Sequence, residues 1–263
     1  MRNAAARLHS LLLVFALLLL APMAFAAEGE GANAPLDWES WHAGNVTSNT
    51  ASLQRGARDF FNYCAGCHSL KYLRYSRLAN DLHITPAQMQ ASLMPAGATP
   101  ADYIKAAMAG PDAVAWFGKQ PPDLSLVARS RGPDWISRFL RTFYVDEKSP
   151  THSNNLQLPN AAMPAVLSDL EGVKLAVFRN VEVTVDGKPS AEKTFDHFVT
   201  VVPGQLDAVQ YDSFVRDIVN FLDYAGEPAQ VDRRSLGVWV VLFLLVFTWI
   251  AWLLKKEYWK DVH

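Results

Sequence analysis

Cys64-Ala65-Gly66-Cys67-His68 is the stretch from which the rest of this chain is interpreted. Two thiols separated by two residues and followed at once by a histidine are the attachment pattern of c-type haem. The spacing lets both sulfur atoms form thioether bonds along one edge of the macrocycle, while the imidazole binds the iron from the proximal side. The motif predicts one covalent haem c.

Two other chemistries use a Cys-x-x-Cys pair. A redox disulfide would leave His68 without a role, and it is typical of a thioredoxin-like βαβ context that the surrounding sequence lacks. A zinc site with four soft ligands would need further cysteines, but the chain has only these two. Haem attachment is therefore the favoured interpretation, and it leaves no cysteine for a structural disulfide.

The N-terminal residues have the pattern of a secretory signal peptide. A short basic region precedes the apolar residues 11–20, a run too short to span a bilayer. A small-x-small sequence, typical of signal-peptidase sites, then ends at Ala26. We expect a signal peptide at 1–26 and an exported haem domain at 27–232. Export agrees with haem attachment, which bacteria complete outside the cytoplasmic membrane.

A second apolar run lies near the other end of the chain. Residues 236–254 carry no charged side chain, and at ~1.5 Å per residue a helix of this length reaches about 28 Å, close to the hydrocarbon thickness. Basic residues flank the run on both sides, so the positive-inside rule does not orient it. Because the body is exported, we expect a transmembrane anchor at 233–256 and a cytoplasmic tail at 257–263. This predicts a single-pass protein of the bacterial inner membrane, with its haem domain in the periplasm.

The charge of the exported part limits its partners. Residues 27–234 carry 19 basic and 24 acidic side chains, a balance of −5. This balance excludes a general nucleic-acid binder and suits a partner with a basic face. The length of this part is sufficient for one domain with its own core.

Hydrophobic spacing predicts a mainly α-helical body. Apolar residues from Leu53 to Cys64 recur at steps of three and four, which predicts a helix that ends in the haem motif. Such a helix is what a class I cytochrome c-like domain needs. Further helices are expected after Thr85-Pro86, after Thr99-Pro100 as far as about Ala109 with Gly110 as its stop, from about Asp134 to Phe143, and from Phe214 to about Gly226.

A different pattern interrupts the helices between Val181 and Val202. Val181, Val183 and Val185 alternate with polar residues, and Asp186-Gly187 is typical of a tight turn. Residues 198–202 are again rich in β-formers. We therefore expect a small β-hairpin inserted in the haem domain.

Four methionines follow the haem motif and could provide the second axial ligand. Met89 and Met108 fall in predicted helices, where methionine commonly fills the core. Met94 lies in a loop before a proline and is a rival candidate. Met163 lies in an irregular stretch with Pro164 after it, and this position modestly favours Met163 as the second ligand. His83, His152 and His197 are further possible ligands.

A proline-rich loop precedes a pair of arginines. Residues 121–125 contain two consecutive prolines, which remove backbone donors and fix φ, so this segment is a rigid loop. Arg129 and Arg131 follow it. An arginine near a haem would pair with a propionate, but two exposed arginines are an equally good interpretation of the sequence.

Four separated motifs, in this order, resemble cytochrome c1, the haem subunit of the quinol–cytochrome c reductase (cytochrome bc1) complex. They are residues 53–75, the loop 121–125, the segment 162–164 and the single C-terminal span with its basic tail. The chain resembles a bacterial member of this family. The resemblance implies Cys64 and Cys67 as thioether anchors, His68 and Met163 as axial ligands, and Arg131 as the propionate partner.

The resemblance also implies a function. A membrane-anchored c-type cytochrome would take single electrons from the Rieske iron–sulfur protein and pass them to a soluble or tethered cytochrome c. Cytochrome b would be a neighbouring subunit, the complex would be dimeric, and quinol oxidation would take place outside this chain. An alternative is a membrane-anchored monohaem carrier to a terminal oxidase. A third is a haem enzyme or gas sensor with one open iron position, which two axial ligands would exclude.

Overall fold

The computed structural model of the chain describes residues 36–185 and 188–260, without the side chains of 182–191. The predicted signal peptide at 1–26 and the predicted turn at Asp186-Gly187 lie outside the described residues. So does the end of the predicted tail, 261–263.

The helix that leads into the haem motif is confirmed. It is α1, Thr50–Tyr63, and the side chain of Asn49 caps its first turn by accepting a hydrogen bond from the Ser52 amide. At its other end the amides of Cys64 and Ala65 both donate to the Phe60 carbonyl, at 2.8 and 2.9 Å. The motif is therefore continuous with the last turn of a packed helix.

The predicted helix before the membrane span is also confirmed, as the helix Ala208–Gly226. It crosses α1 closely, since a Cβ built on Gly56 would lie 2.0 Å from the Asp217 carbonyl oxygen. The rings of Phe60 and Phe221 are 5.5 Å apart at the crossing, and both are fully buried. These two helices form the centre of the core.

Short elements follow the motif. They are β1, Leu70–Arg74; α2, Tyr75–Asp81; α3, Pro86–Ser92; β2, Tyr103–Ile104; and α4, Gly110–Phe117. The helix predicted after Thr85 is confirmed as α3, and Thr85 and Gln88 form a reciprocal capping box at its start.

The helix predicted from Thr99 to Ala109 is wrong. The Asp102 amide donates to the Thr99 carbonyl at 3.0 Å, which closes a turn. The Pro100 and Asp102 carbonyls accept hydrogen bonds from the Ser76 and Tyr75 amides, at 2.8 and 3.2 Å, instead of from amides four residues further along a helix. The chain then enters β2, which pairs antiparallel with β1. Gly110 begins α4 rather than stopping a helix, because Pro111 fits the first helical turn.

The middle of the chain forms one wall of the domain. It contains α5, Val127–Arg131; α6, Pro133–Arg141; and the antiparallel strands β3, Phe143–Val145, and β4, Ser153–Asn155. The helix predicted near Asp134 is confirmed as α6, which buries Ile136 and Leu140. Phe143 lies in β3, just beyond the end of that helix.

The predicted hairpin is confirmed but is longer than expected. After α7, Ser168–Glu171, strand β5 runs over Gly172–Val185 and pairs antiparallel with β6, Lys188–Pro203. Two glycines allow the base of the hairpin to close. Gly172 has φ +100°, and an added Cβ would lie 2.6 Å from the Val202 carbonyl oxygen; at Gly204 it would lie 2.2 Å from that of Leu170.

The last two helices complete the chain. The helix Ala208–Gly226 is α8, and Glu227-Pro228 separates it from α9, Gln230–Tyr258. α9 has no buried residue, and it is the one helix among the described residues that is long and apolar enough to cross a membrane. A helix-rich domain with small antiparallel strand pairs and one long apolar C-terminal helix agrees with the predicted fold class.

Candidate haem site

One cavity is lined by all five residues that the sequence predicts as haem-site residues. Cys64, Cys67, His68, Arg131 and Met163 line a space of about 430 Å³, within the size range of cofactor sites. Most of the remaining lining is apolar and comes from α6, α8 and the loop 121–125. The fold therefore brings the haem motif, the proline loop and the Met163 segment to one space.

The proline loop orients the histidine of the motif. His68 Nδ1 lies 2.7 Å from the Pro122 carbonyl oxygen, so this nitrogen carries a proton and donates it. The other ring nitrogen, Nε2, is left as the metal ligand, and a hydrogen-bonded partner of this kind is typical of metal-binding histidines. Burial lowers the pKa of His68, against the opposing effects of the Pro122 carbonyl and Asp123. The lowered pKa favours the neutral imidazole that binds a metal.

The loop is held in this position by the residues that follow the motif. The Leu124 amide donates to the Ser69 carbonyl at 2.9 Å, and the Lys71 amide donates to the Asp123 carboxylate at 2.9 Å. Two consecutive prolines stiffen the loop immediately before these contacts. The Pro122 carbonyl is therefore a fixed acceptor for the imidazole.

The two cysteines do not have the properties of a redox pair or of a zinc site. Burial, aided by the charge of Asp59, raises the pKa of Cys64 to about 12, whereas reactive Cys-x-x-Cys thiols have lowered pKa values. No group of three or more histidine, cysteine or acidic side chains among the described residues could hold a metal ion. Haem attachment is the chemistry that the site supports.

Met163 lies in the irregular segment between β4 and α7 and lines the cavity with His68. It is the one methionine of the described residues that does so. Met89 is 2% exposed in α3, Met94 packs against the core, and neither lines the cavity. The predicted helical position of Met108 is wrong. Met108 lies in the segment after β2, where its amide donates to the Gly66 carbonyl at 3.0 Å. None of His83, His152 and His197 lines the cavity.

The structure separates the two arginines that follow the proline loop. Arg129 forms an ion pair with Glu227 at 2.8 Å, outside the cavity. Arg131 ends α5, lines the cavity, and places its guanidinium 5.1 Å from the ring centroid of Trp135. Of the two, Arg131 is the one placed to meet an anion carried by a group in the cavity.

The aromatic wall of the site was not assigned from the sequence. Trp135 and Phe139 stack at 5.2 Å with an interplanar angle of 8°, and both line the cavity. Their spacing of four residues on α6 is also the pattern of an ordinary core-facing helix. Only the three-dimensional position of α6 shows that this face borders a cofactor-sized space. Two thiols, an imidazole, a thioether and apolar walls fit a covalent haem.

Comparison with known proteins identifies the family. The Cytochrome C1 family profile matches residues 41–262. A cytochrome c1 from Allochromatium vinosum is 46% identical over 253 residues, which cover 96% of this chain and 99% of that protein. The chain belongs to the cytochrome c1 family. Proteins of this family carry one covalently bound haem c, in agreement with the pair Cys64 and Cys67.

Three other relatives carry different names. The ammonia monooxygenase gamma subunit of Nitrosomonas europaea is 38% identical over 246 residues, which cover 94% of this chain and 96% of that protein. Cytochrome b/c1 of Bradyrhizobium diazoefficiens is 27% identical over 261 residues, which cover 81% of this chain and 33% of the relative. A Candida albicans relative, 25% identical over 240 residues that cover 82% of this chain and 74% of that protein, is named as a catalytic subunit of the cytochrome b-c1 complex. Among the described residues of this chain, α9 is the one candidate membrane span.

Proposed function

We propose that this member of the cytochrome c1 family relays single electrons from the Rieske iron–sulfur protein to a soluble or tethered cytochrome c. Cys64 and Cys67 would anchor the haem, His68 and Met163 would bind its iron, and Arg131 would pair with a propionate. The observation that supports this most strongly is the single cavity in which an imidazole and a thioether line the same apolar space.

The residues of the chain prepare this site for electron transfer and not for chemistry on a small substrate. A bound haem c supplies a one-electron iron couple. With His68 and Met163 both bound to the iron, no position would be left for oxygen or peroxide, and the thioether of Met163 would raise the potential. Pro122 fixes the imidazole, while Trp135 and Phe139 keep water away from the cavity wall. Quinol oxidation belongs to neighbouring subunits.

The proposal includes an orientation in the bacterial inner membrane. Residues 1–26 are a signal peptide, 27–232 are the periplasmic haem domain, 233–256 are the anchor, and 257–263 are a cytoplasmic tail. A reporter enzyme that is active only in the cytoplasm, fused after His263, tests this orientation. The fusion is expected to be active, and an inactive but full-length fusion would place the tail in the periplasm.

Purification from the native membrane tests the partners. Mild detergent is expected to release the chain with cytochrome b and the Rieske protein, in a dimeric complex. Recovery with a terminal oxidase instead would support the alternative carrier, and recovery with a monooxygenase would support the function named for the Nitrosomonas relative. Carbon monoxide binding to the native reduced protein would favour an open iron position and contradict the relay.

The charge of the exported part gives a test of the electron acceptor. A balance of −5 over residues 27–234 steers a basic cytochrome c toward the haem domain, and salt screens such steering over about 8–10 Å. The rate of cytochrome c reduction by the purified complex is expected to fall as ionic strength rises. A rate that does not depend on salt would mean that contact is mainly apolar or that the acceptor is not basic.

A further inference from the structure

A second cavity, of about 240 Å³, lies behind the Met163 segment. Leu140, Met163 and Pro164 line both this space and the haem cavity. Residues 163–168 line the second cavity, and Met163 and Pro164 of this segment also line the haem cavity. Atoms next to the second cavity lack packing partners on that side, so the position of this segment depends strongly on how its ends are held.

A short series of backbone hydrogen bonds connects Met163 to Glu171. The bonds are Val166 N to Pro164 O at 2.8 Å, Ser168 N to Ala165 O at 3.1 Å, and Glu171 N to Leu167 O at 3.0 Å. Each closes a tight turn, and the last belongs to α7. The backbone from Pro164, which follows Met163, to Glu171 is therefore folded into consecutive hydrogen-bonded turns.

The Glu171 side chain is held by a buried lysine from the hairpin. Lys174 Nζ lies 2.5 Å from Glu171 Oε1 and 2.8 Å from the Arg141 carbonyl oxygen. The side chains of Lys174 and Glu171 are 9% and 15% exposed. Arg141 is the last residue of α6, where helical carbonyls lack intrahelical partners. Lys174 therefore connects the Met163 segment to the helix that carries the aromatic wall of the haem cavity.

Stability alone does not account for this pair. Burial raises the pKa of Glu171 to about 7 and lowers the pKa of Lys174, because desolvation opposes both charges. Replacing a buried ion pair with apolar residues is often neutral or stabilising, whereas a hydrogen-bonded pair fixes a geometry. Tyr211 belongs to the same buried group, because its hydroxyl donates to the Leu140 carbonyl at 2.8 Å and its side chain also interacts with Glu171.

We propose that Glu171 and Lys174 are positioning residues for Met163. Their hydrogen bonds hold the segment 163–168 against the haem cavity, so that the thioether stays within reach of the iron. Without the pair, the segment relaxes into the second cavity and the thioether withdraws. This inference rests on the proposed role of Met163 as the sixth ligand.

The test compares full-length, detergent-purified variants with haem attached. Glu171→Gln/Lys174→Met removes both charges, and Glu171→Leu/Lys174→Met replaces the pair with apolar side chains. Arg179→Met is the matched control, because it removes a more exposed ion pair of the same hairpin, Arg179 to Asp196 at 3.7 Å. Met163→Leu is measured in parallel to test the ligand itself.

Both pair variants are expected to lose the charge-transfer band of Met–Fe(III) ligation and to bind carbon monoxide when reduced. Their midpoint potential should fall by about 59 mV for each tenfold loss in relative stability of the reduced form. Haem staining on denaturing gels should not change, since Cys64 and Cys67 lie on the other wall. Arg179→Met should match the wild type in all four measurements.

Each other outcome has a defined meaning. If the pair variants keep the band and the potential while Met163→Leu loses both, the pair does not position the ligand and the proposed site stands. If Met163→Leu keeps the band, the ligand assignment and this inference are both overturned. If Arg179→Met loses the band as the pair variants do, or if neither pair variant accumulates while Arg179→Met does, the effect is one of general folding and the positioning role is overturned.

Discussion

The two walls of the haem cavity are built in different ways. On the proximal side, Cys64, Cys67 and His68 are close in sequence, and backbone hydrogen bonds join them directly to the end of α1. On the distal side, Met163 is far along the chain in an irregular segment, and its position depends on the hairpin base and on α6. Attachment of the haem is therefore a local property of the chain, whereas the position of the proposed sixth ligand is a property of the tertiary structure.

Removal of both thiols should have the largest effect. In Cys64→Ala/Cys67→Ala no thioether bond can form, so a denaturing gel stained for haem peroxidase activity should show no band. Cys67→Ala alone keeps at most one covalent link and should give a weak, unstable product. Undiminished stain in the double variant would contradict covalent attachment at the proximal wall.

Loss of the distal ligand should be the next largest effect and should leave attachment intact. Met163→Leu is expected to lower the midpoint potential by several times the scatter of a redox titration, since a tenfold change in relative stability is about 59 mV for one electron. The charge-transfer band should disappear in the same variant. Met94→Leu is the control, because Leu and Met have similar volumes. Loss of the band in Met94→Leu instead would mean that Met94, and not Met163, is the ligand.

A change at the helix crossing tests how far the proximal wall depends on the core. In Gly56→Ala the new Cβ would lie 2.0 Å from the Asp217 carbonyl oxygen and 2.8 Å from Cβ of Phe221. Overpacking of this kind costs about 1–3 kcal/mol, and each kcal/mol lowers Tm by roughly 2–4 °C in a domain of this size. Thermal unfolding measures the shift. Gly237→Ala is the helical control, because its Cβ would meet nothing within 4 Å. Equal Tm values would mean that the two helices can separate without strain.

The smallest expected effect is a pH dependence of Tm that arises from Glu171. Burial raises the pKa of Glu171 to about 7 in the folded protein, so the folded state binds more protons than the unfolded state. Its stabilising contribution is complete below the ordinary pKa of a glutamate and is lost as pH rises through about 7. The Tm of the wild type, measured relative to that of Glu171→Gln, should therefore fall as pH rises from 5 to 8. Lys174, with a pKa that burial lowers, acts in the opposite direction at higher pH. A constant difference in Tm would show that Glu171 stays ionised.

Local patterns predicted several elements correctly because their information lies within one or two turns. The helical steps from Leu53 to Cys64, the amphipathic residues after Asp134 and the charge-free run in α9 all correspond to elements of the structure. The helix expected after Thr99 is wrong because the Pro100 and Asp102 carbonyls accept hydrogen bonds from amides at the start of α2. The hairpin was expected to begin at Val181 but begins at Gly172, because the residues near its base do not alternate in polarity.

For the site, the sequence alone determined the haem motif, since the spacing of Cys64, Cys67 and His68 is itself the chemical requirement. It left Met163 and Met94 as rivals and did not choose between Arg129 and Arg131. The tertiary structure places Met163 and Arg131 on the cavity, and it places Met94 and Arg129 away from it. These positions depend on contacts between segments that are distant in sequence, such as Lys174 with Arg141. A local sequence pattern contains no information about such contacts, so only the tertiary structure decides which side chains line the haem cavity.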